Sequence, residues 1–219
     1  MDVSIVIVNY NVEHFLYQCL LYVRASLREL ELKGYKAEVW VVDNRSVDGS
    51  CAMVRAQFPE VHLLELKENV GFSKGNNLAI EQAKGRWILL LNPDTVVPED
   101  ALSKCLEYAD GKPKLGGMGV PMVDGTGRYL PESKRGMPTP WAALCKISGI
   151  YKLAPKSAKL NQYYMGHLRS DENHQIQILS GAFMWMRKSA LDEVGTLDES
   201  YFMYGEDIDL SWRLLQGDW

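Results

Sequence analysis

Apolar residues in the first hundred positions of the chain follow two different periods. Short β-branched or leucine-rich runs predict four buried strands, over residues 3–8, 39–42, 61–66 and 87–91. Between them, apolar positions three and four residues apart predict amphipathic helices, over about 14–33, from 48 onward and over 73–84. Strands that alternate with such helices favour right-handed crossovers. We therefore predict an α/β fold with a Rossmann-like, mostly parallel central sheet and helices on both faces.

The pattern changes after about residue 110, where glycine and proline break the chain into short pieces. Asp124-Gly125 predicts a hairpin turn between strands at 120–123 and 128–130. Residues 131–175 predict a mobile loop region with one short helix at 141–146. A strand, a glycine and a second strand are expected over 176–187.

A last helix is predicted from about residue 206 to 216. Ile208, Trp212 and Leu215 recur at i, i+4 and i+7, which is typical of the buried stripe of an amphipathic helix. This phase places Glu206 and Asp207 in the first turn of the helix.

Composition narrows the class of protein. The 219 residues are 47% hydrophobic and 24% charged, as in an ordinary globular domain. The net charge of −4 argues against a nucleic-acid partner, because such domains carry a basic surface. Four cysteines without a Cys-x-x-Cys pair predict reduced thiols and a cytoplasmic protein.

Charge is distributed unevenly along the chain. Residues 131–160 contain six basic side chains and one acid, whereas residues 192–209 contain seven acids and no base. Two segments of opposite sign are consistent with two binding functions, and equally with two solvated faces. The sequence leaves both interpretations open.

Polar residues follow each of the four predicted strands. The strand ends carry Asn9-Tyr10, Asp43-Asn44, the run from Asn69 to Asn77, and Asn92-Pro93-Asp94. Asparagine and aspartate also favour turns for purely local reasons. In an open parallel sheet, however, ligands bind outside the carboxyl ends of the strands, and four polar ends on one edge indicate a ligand site.

Absent motifs limit what this site holds. The first strand-to-helix turn has no glycine, so it is not a dinucleotide-binding turn, and the chain has no phosphate-binding P-loop. A nucleotide would be held by side chains: Asp43 can accept from a base N–H, and Asn69 and Asn76 can donate and accept. Asp94 can hold Mg²⁺ or Mn²⁺ together with substrate phosphates, unless it only caps a turn or the next helix.

A second candidate site lies at the start of the last helix, where three acids fall within residues 206–209. A helix N-terminus favours one acid through its dipole, but three acids repel one another. A carboxylate packed near aromatic residues such as Tyr201, Tyr204 and Trp212 can have its pKa raised into the range of a general base.

Five motifs together resemble the family 2 inverting glycosyltransferases of GT-A fold, especially their rhamnosyltransferase-like branch. They are SIVIVNYN at 4–11, VVDNRSVDGS at 41–50, NVGFSKGNN at 69–77, LLLNPDT at 89–95 and GEDIDLSWR at 205–213. The set spans nearly the whole chain.

The resemblance implies a single GT-A domain over 1–219, with a nucleotide-sugar half at 1–110 and an acceptor half at 111–219. It implies transfer with inversion from a UDP- or dTDP-sugar, dTDP-rhamnose among them, to a hydroxyl of a saccharide or lipid-linked saccharide in surface polysaccharide synthesis. The basic segment at 131–160 could then meet a lipid-diphosphate acceptor or the inner face of the cytoplasmic membrane. The alternatives are a non-catalytic nucleotide-sugar-binding module and, less favoured, a sugar-1-phosphate nucleotidyltransferase.

Carried over by position, the resemblance also implies roles for single residues. Asp207 would be the catalytic base and Asp94 the ligand of a divalent cation, Mg²⁺ or Mn²⁺. Donor-binding residues would be Asn9, Tyr10, Asp43, Asn69, Gly71, Asn76 and Asn92. The acceptor or sugar pocket would contain Gly181, Glu206, Trp212 and Arg213.

Two departures from the family pattern stand out. Asn92 replaces the first acid of the Asp-x-Asp motif, which removes one anionic ligand. The family's metal-binding histidine lies beyond the final helix, so we expect the sequence to be shortened at its C-terminus.

Overall fold

A six-stranded sheet forms the centre of the computed structural model, which describes residues 1–219. The strands lie in the order β3-β2-β1-β4-β6-β5. Their bounds are β1 Val3–Asn9, β2 Ala37–Asp43, β3 His62–Glu65, β4 Trp87–Leu91, β5 Gly117–Met118 and β6 Phe183–Arg187. The first four strands are parallel, and β6 runs antiparallel to β4 and β5. The predicted mostly parallel sheet is confirmed.

Seven α-helices accompany the sheet: α1 Glu13–Leu32, α2 Ser50–Gln57, α3 Phe72–Ile80, α4 Ala101–Asp110, α5 Pro140–Ile147, α6 Lys188–Val194 and α7 Glu206–Gln216. None of them combines the length and the apolar character that crossing a bilayer requires. One hydrophobic core lies between the sheet and α1, α2 and α4, and the other lies between the sheet and α3, α6 and α7.

The two cores explain why the central strands are apolar throughout. In β4, Trp87, Leu89 and Leu91 enter the first core, while Ile88 and Leu90 enter the second. Successive strand residues point to opposite faces, so a strand covered on both faces has no polar alternate positions.

The register aligns the strand ends that carry the polar motifs. Asn9 pairs with Asp43, and Asp43 pairs with Glu65. Immediately beyond β4, the Asn92 backbone N–H donates to the Ala182 carbonyl at 3.1 Å. The polar strand ends of the first half and the start of β6 therefore lie at the same edge of the sheet.

The structure corrects the predicted hairpin. Asp124 N–H donates to the Arg128 carbonyl, and a single antiparallel bridge joins Val123 to Tyr129. The chain therefore turns at the predicted place, but the strands predicted at 120–123 and 128–130 are wrong, since only this one bridge forms. The Asp124 carboxylate accepts from the Thr126 and Arg128 amides, and Gly127 supplies the positive φ of 81°. These contacts close a longer loop.

Residues 131–175 are mostly irregular, as predicted, and their mobility stays a prediction. The short helix is confirmed as α5, where the Thr139 hydroxyl accepts from the Ala142 amide. Only the second of the two strands predicted over 176–187 exists, as β6. In place of the first, Ile178 forms one isolated bridge to Arg135, and Leu179 N–H donates to the Ser211 hydroxyl.

The predicted buried stripe of α7 is wrong. Trp212 is 48% exposed and Leu215 is 39% exposed, whereas Glu206, Leu210 and Leu214 are buried. The helix presents the 206–210–214 row to the second core, because the two leucines fill the space against α6 and the sheet.

Candidate functional site

Asn9 and Asp43 form a buried pair at the ends of β1 and β2. Asn9 Nδ2 donates to Asp43 Oδ1 at 2.7 Å and to Ser46 Oγ at 3.0 Å. The other Asp43 oxygen accepts from the Ser46 amide at 2.8 Å. Asn9 therefore fixes the orientation of Asp43, while Tyr10 is exposed at the same edge, where a ligand can reach it.

The loop after β3 is held in one conformation by two asparagines. Asn69 Oδ1 accepts from the Gly71 amide at 3.0 Å, and Asn44 Nδ2 donates to the Gly71 carbonyl at 3.0 Å. Gly71 has φ 88° and ψ −179°, a conformation essentially restricted to glycine. A methyl group on Gly71 would lie 2.5 Å from the Phe202 carbonyl oxygen. The loop thus contacts the segment that leads into α7.

Asn44 and Asn76 are both buried polar residues near this loop. Asn44 is not among the donor-binding residues that the resemblance implies, and its position directly after Asp43 is the signal that could have found it. Asn76 is buried in α3 and donates to the Phe72 carbonyl at 2.9 Å, while its Oδ1 has no hydrogen-bond partner. Its side chain is thus committed in part to its own helix.

Asp94 lies in the turn that leaves β4. Its carboxylate is exposed and accepts no hydrogen bond from the chain. Burial raises the pKa of the Cys19 thiol to about 12, and the negative charge of Asp94 adds to that rise. Because α4 begins at Ala101, Asp94 does not cap that helix.

The residues around Asp94 fit a cation shared with a substrate. The protein has no cluster of three or more His, Cys, Asp or Glu side chains that could hold a metal ion without a substrate. Mg²⁺ is usually bound by one or two carboxylates together with substrate phosphates and water. A single free carboxylate at the ligand edge of the sheet fits that mode of binding.

Asp207 forms an ion pair with Arg135 in the first turn of α7. Arg135 Nη2 also donates to the Leu179 carbonyl, and both partners are largely buried, with 14% and 13% of their side chains exposed. Asp207 Oδ1 accepts from the Ile208 amide at 2.8 Å. The guanidinium and the helix N-terminus together stabilise the carboxylate.

Gly181 connects this acid to the end of β4. A methyl group on Gly181 would lie 3.7 Å from Asp207 Oδ2. Its neighbour Ala182 accepts the hydrogen bond from Asn92, two residues before Asp94. The structure thus brings the turn of Asp94 and the first turn of α7 to one edge of the sheet.

Arg135 is the site residue that sequence reasoning missed. In the sequence it is one of the six basic residues of the 131–160 segment, with nothing to distinguish it from the others. Its partner is 72 positions away in the chain, so no local spacing reports the contact.

Glu206 is the more buried of the two neighbouring acids. It is 6% exposed, and its Oε2 has no hydrogen-bond partner. Burial raises the pKa of Glu206, and the charge of Asp207 raises it further, while Arg135 opposes the rise. Tyr204 and Trp212, which were expected to pack around a carboxylate here, are exposed, so they do not account for the burial of Glu206.

Glu206→Gln is expected to gain thermal stability relative to the native chain as the pH rises from about 4 to about 8. A carboxyl whose pKa is raised by folding contributes stability below its unfolded pKa and loses it as the pH passes the folded value. Glutamine does not ionise, so it avoids that loss. Melting temperatures across this range measure the difference, with exposed Glu68→Gln as the control; a constant difference would contradict the prediction.

Arg213 is not brought to this cluster. Its guanidinium donates to Asp209 and to the carbonyls of Val194, Gly195 and Thr196. All three nitrogens of the guanidinium form hydrogen bonds within the protein. Arg213 therefore stabilises the packing of α7 against the end of α6. Trp212, beside it, has about half of its surface open to solvent.

The chain is similar in sequence to proteins of known name. The chain is 28% identical over 192 residues to an N-acetylglucosaminyl-diphospho-decaprenol L-rhamnosyltransferase of Mycobacterium tuberculosis, covering 83% of this chain and 62% of that protein. It is 29% identical over 188 residues to a poly-beta-1,6-N-acetyl-D-glucosamine synthase of Staphylococcus aureus, covering 84% and 40%. The chain therefore spans less than two thirds of either relative.

A solved structure shares the fold. It is a mannosyltransferase from Pyrobaculum calidifontis in complex with GDP-Man and Mn²⁺, with a TM-score of 0.67, 17% identity, and coverage of 100% of this chain and 53% of that one. The predicted GT-A fold is confirmed. The family described as Glycosyl transferase family 2 matches residues 4–195, and the chain belongs to that family.

Proposed function

We propose that this chain transfers a sugar from a nucleotide-diphosphate sugar to a hydroxyl of a saccharide or lipid-linked saccharide, with inversion, in surface polysaccharide synthesis. The observation that carries the proposal is the convergence of two acids from distant parts of the chain. Asn92 is hydrogen-bonded to Ala182, and the neighbouring Gly181 lies next to Asp207. Asp94, which follows β4, and Asp207, in α7, are therefore at the same edge of the sheet. Glycosyl transfer needs one group on each side of the reacting carbon.

Asp207 is the base in this proposal. Its carboxylate takes the proton of the acceptor hydroxyl while the hydroxyl oxygen forms a bond to the anomeric carbon. The bond from that carbon to the diphosphate oxygen breaks at the same time, and the nucleotide diphosphate leaves with the electron pair. Asp94, with Asn92 beside it, would hold a divalent cation, which would supply positive charge to the leaving phosphates when bound.

Arg135 orients the base. Its contact with the Leu179 carbonyl anchors the guanidinium, and the guanidinium in turn holds Asp207 Oδ2. The acceptor hydroxyl then approaches a carboxylate of fixed direction. In the proposal, the acceptor or sugar pocket beside Asp207 also contains Glu206, Trp212 and Gly181.

Residues 1–110 form the donor half of the proposal and residues 111–219 the acceptor half. Asp43, whose orientation is fixed by Asn9, recognises the nucleobase of the donor. The nucleotide pocket is lined by Tyr10, Asn69, Gly71 and Asn76. A UDP- or dTDP-sugar is the proposed donor, and dTDP-rhamnose fits the similarity to the mycobacterial L-rhamnosyltransferase. Four free cysteines support a cytoplasmic site of action.

A thermal-shift screen of nucleotide sugars with and without Mn²⁺ tests donor binding. A ligand at 100 times its Kd raises the apparent free energy of unfolding by about 2.7 kcal/mol. We expect that gain for one UDP- or dTDP-sugar, and transfer to a saccharide acceptor with the same donor. No gain with any nucleotide sugar would contradict the proposal.

Asp94→Ala is expected to abolish the Mn²⁺-dependent part of this gain without lowering the stability of the free protein. The side chain is exposed and makes no hydrogen bond, so its removal disturbs nothing in the fold. Glu99→Ala, an exposed acid on the same segment, is the matched control. An unchanged Mn²⁺ dependence in Asp94→Ala would place the cation elsewhere.

One observation favours a second candidate function, a module that binds nucleotide sugars without transferring them. Asn92 replaces the first acid of the Asp-x-Asp motif, so one negatively charged ligand for the cation is missing. Donor binding without transfer to any saccharide acceptor would support that function.

A further inference from the structure

Helix α5 exposes its large apolar residues and buries its small ones. Trp141, Leu144 and Ile147 are 50%, 55% and 86% exposed, whereas Ala142 and Cys145 are buried. A helix of a globular protein normally turns its largest apolar side chains to the core. The exposed three recur at i, i+3 and i+6, so they share one side of the helix.

Exposed apolar residues also follow the helix in the sequence. A positive φ of 74° at Gly149 turns the chain into the short 3-10 turn Ile150–Lys152, and Leu153 follows with 85% of its surface exposed. Four large apolar side chains within 13 positions are thus left in water. Contiguous exposed apolar groups mark interaction surfaces.

Lysines accompany these apolar residues. Lys152, Lys156 and Lys159 are exposed, and none of them forms an ion pair with a carboxylate. The chain as a whole has a net charge of −4, so this concentration of free positive charge runs against its overall sign. An anionic partner therefore fits the segment.

A cleft of about 620 Å³ opens beside the helix. Its walls combine apolar Trp141, Ala158 and Leu160 with the polar Ser157, Lys159 and Gln162. The indole N–H of Trp141 donates to the Lys159 carbonyl at 2.9 Å, which fixes the tryptophan at the rim. Tryptophan and lysine beside apolar side chains are typical of a surface that lies at a membrane interface.

This segment begins close in sequence to the residue that holds the proposed base. Arg135, which pairs with Asp207, precedes Trp141 by six positions, so their Cα atoms are at most about 20 Å apart.

We propose that Trp141, Leu144, Ile147 and Leu153, with Lys152, Lys156 and Lys159, form a docking surface for a bilayer that contains anionic lipids. The apolar side chains enter the interface, and the lysines contact the headgroups. In linking this surface to a lipid-linked acceptor, the inference rests on the proposed function; the docking itself does not require transfer.

Sedimentation of the full chain with phosphatidylcholine vesicles, with and without about one third phosphatidylglycerol, tests the surface. The native chain should sediment with the anionic vesicles only. Each lysine near a charged bilayer contributes about fivefold in partitioning, so K152Q/K156Q/K159Q should bind about 100-fold more weakly. The control K84Q/K112Q/K114Q changes the net charge equally, through exposed lysines elsewhere, and should bind as the native chain does.

A second variant tests the apolar contribution. L144S/I147S/L153S should also lose vesicle binding, whereas L32S/V47S, which removes exposed apolar side chains elsewhere, should not. Unchanged binding by either surface variant overturns the proposal. A surface that binds no anionic vesicle but holds a concentration-dependent dimer, lost in L144S/I147S/L153S, also overturns it and assigns the face to a second copy.

Donor binding measured on the same variants separates this inference from the proposed function. All the variants should keep the nucleotide-sugar shift of the native chain. Vesicle binding that fails while that shift and transfer to a soluble acceptor persist refutes only the docking surface; vesicle binding that persists without transfer refutes only the function.

Discussion

Asp207→Asn is expected to lower sugar transfer by about 10²–10⁴-fold, the usual contribution of a general base. Asparagine keeps the size of the side chain and one oxygen, but it cannot take up the proton of an acceptor hydroxyl. Initial rates of transfer at saturating donor measure the loss. The nucleotide-sugar thermal shift should remain, because the donor-binding strand ends belong to the other half of the chain.

The control for this substitution has to account for Arg135, which loses its ion-pair partner. Removing one member of a largely buried pair destabilises a fold, so melting temperatures accompany the rates. Asp192→Asn, an exposed acid on α6, provides the comparison for surface charge. Transfer at the native rate by Asp207→Asn would show that another group removes the proton, and Glu206 would be the next residue to test.

Trp87→Ala is expected to lower the free energy of unfolding by about 3–5 kcal/mol, the cost of deleting a large buried aromatic side chain. Trp87 is fully buried in the first core, 6.3 Å from the ring of Trp185. Its indole N–H donates to Asp110 at 3.1 Å, and the Arg187 guanidinium lies 4.2 Å from its ring centroid. The substitution removes these contacts and leaves a cavity.

Chemical denaturation measures this loss, which is large against the roughly 5–15 kcal/mol that stabilises a typical domain. Trp212→Ala is the matched control, since that tryptophan is half exposed and makes no side-chain hydrogen bond. We expect it to lower the free energy of unfolding clearly less than Trp87→Ala does, because about half of its surface is already in water. Equal midpoints for Trp87→Ala and the native chain would contradict the assigned packing.

The arrangement of the strand ends proposed to bind the donor could be predicted from sequence because its determinants are local. Each polar motif directly follows an apolar run, and strands that alternate with helices align their carboxyl ends. Asn9 and Asp43 therefore meet as expected, although the role of Asn9 in orienting Asp43 emerges only from their hydrogen bond.

The acceptor side depends on contacts between distant segments. Arg135 meets Asp207 across an irregular stretch whose path no periodicity reports. The rotation of α7 was missed for a related reason: Trp212 and Leu210 are both apolar, and only the shape of the second core decides which of them is buried.

The reversed direction of β6 has a consequence for how such a chain can diversify. Its first residues lie beside the point where β4 ends, so the long irregular stretch before it returns to this edge of the sheet at Ala182 and Phe183, next to Asn92 and Leu91. Insertions, deletions or exchanges between β5 and β6 leave the four parallel strands and their pairing intact. Under the proposed function, new acceptor preferences can therefore arise in that stretch while nucleotide recognition is inherited unchanged.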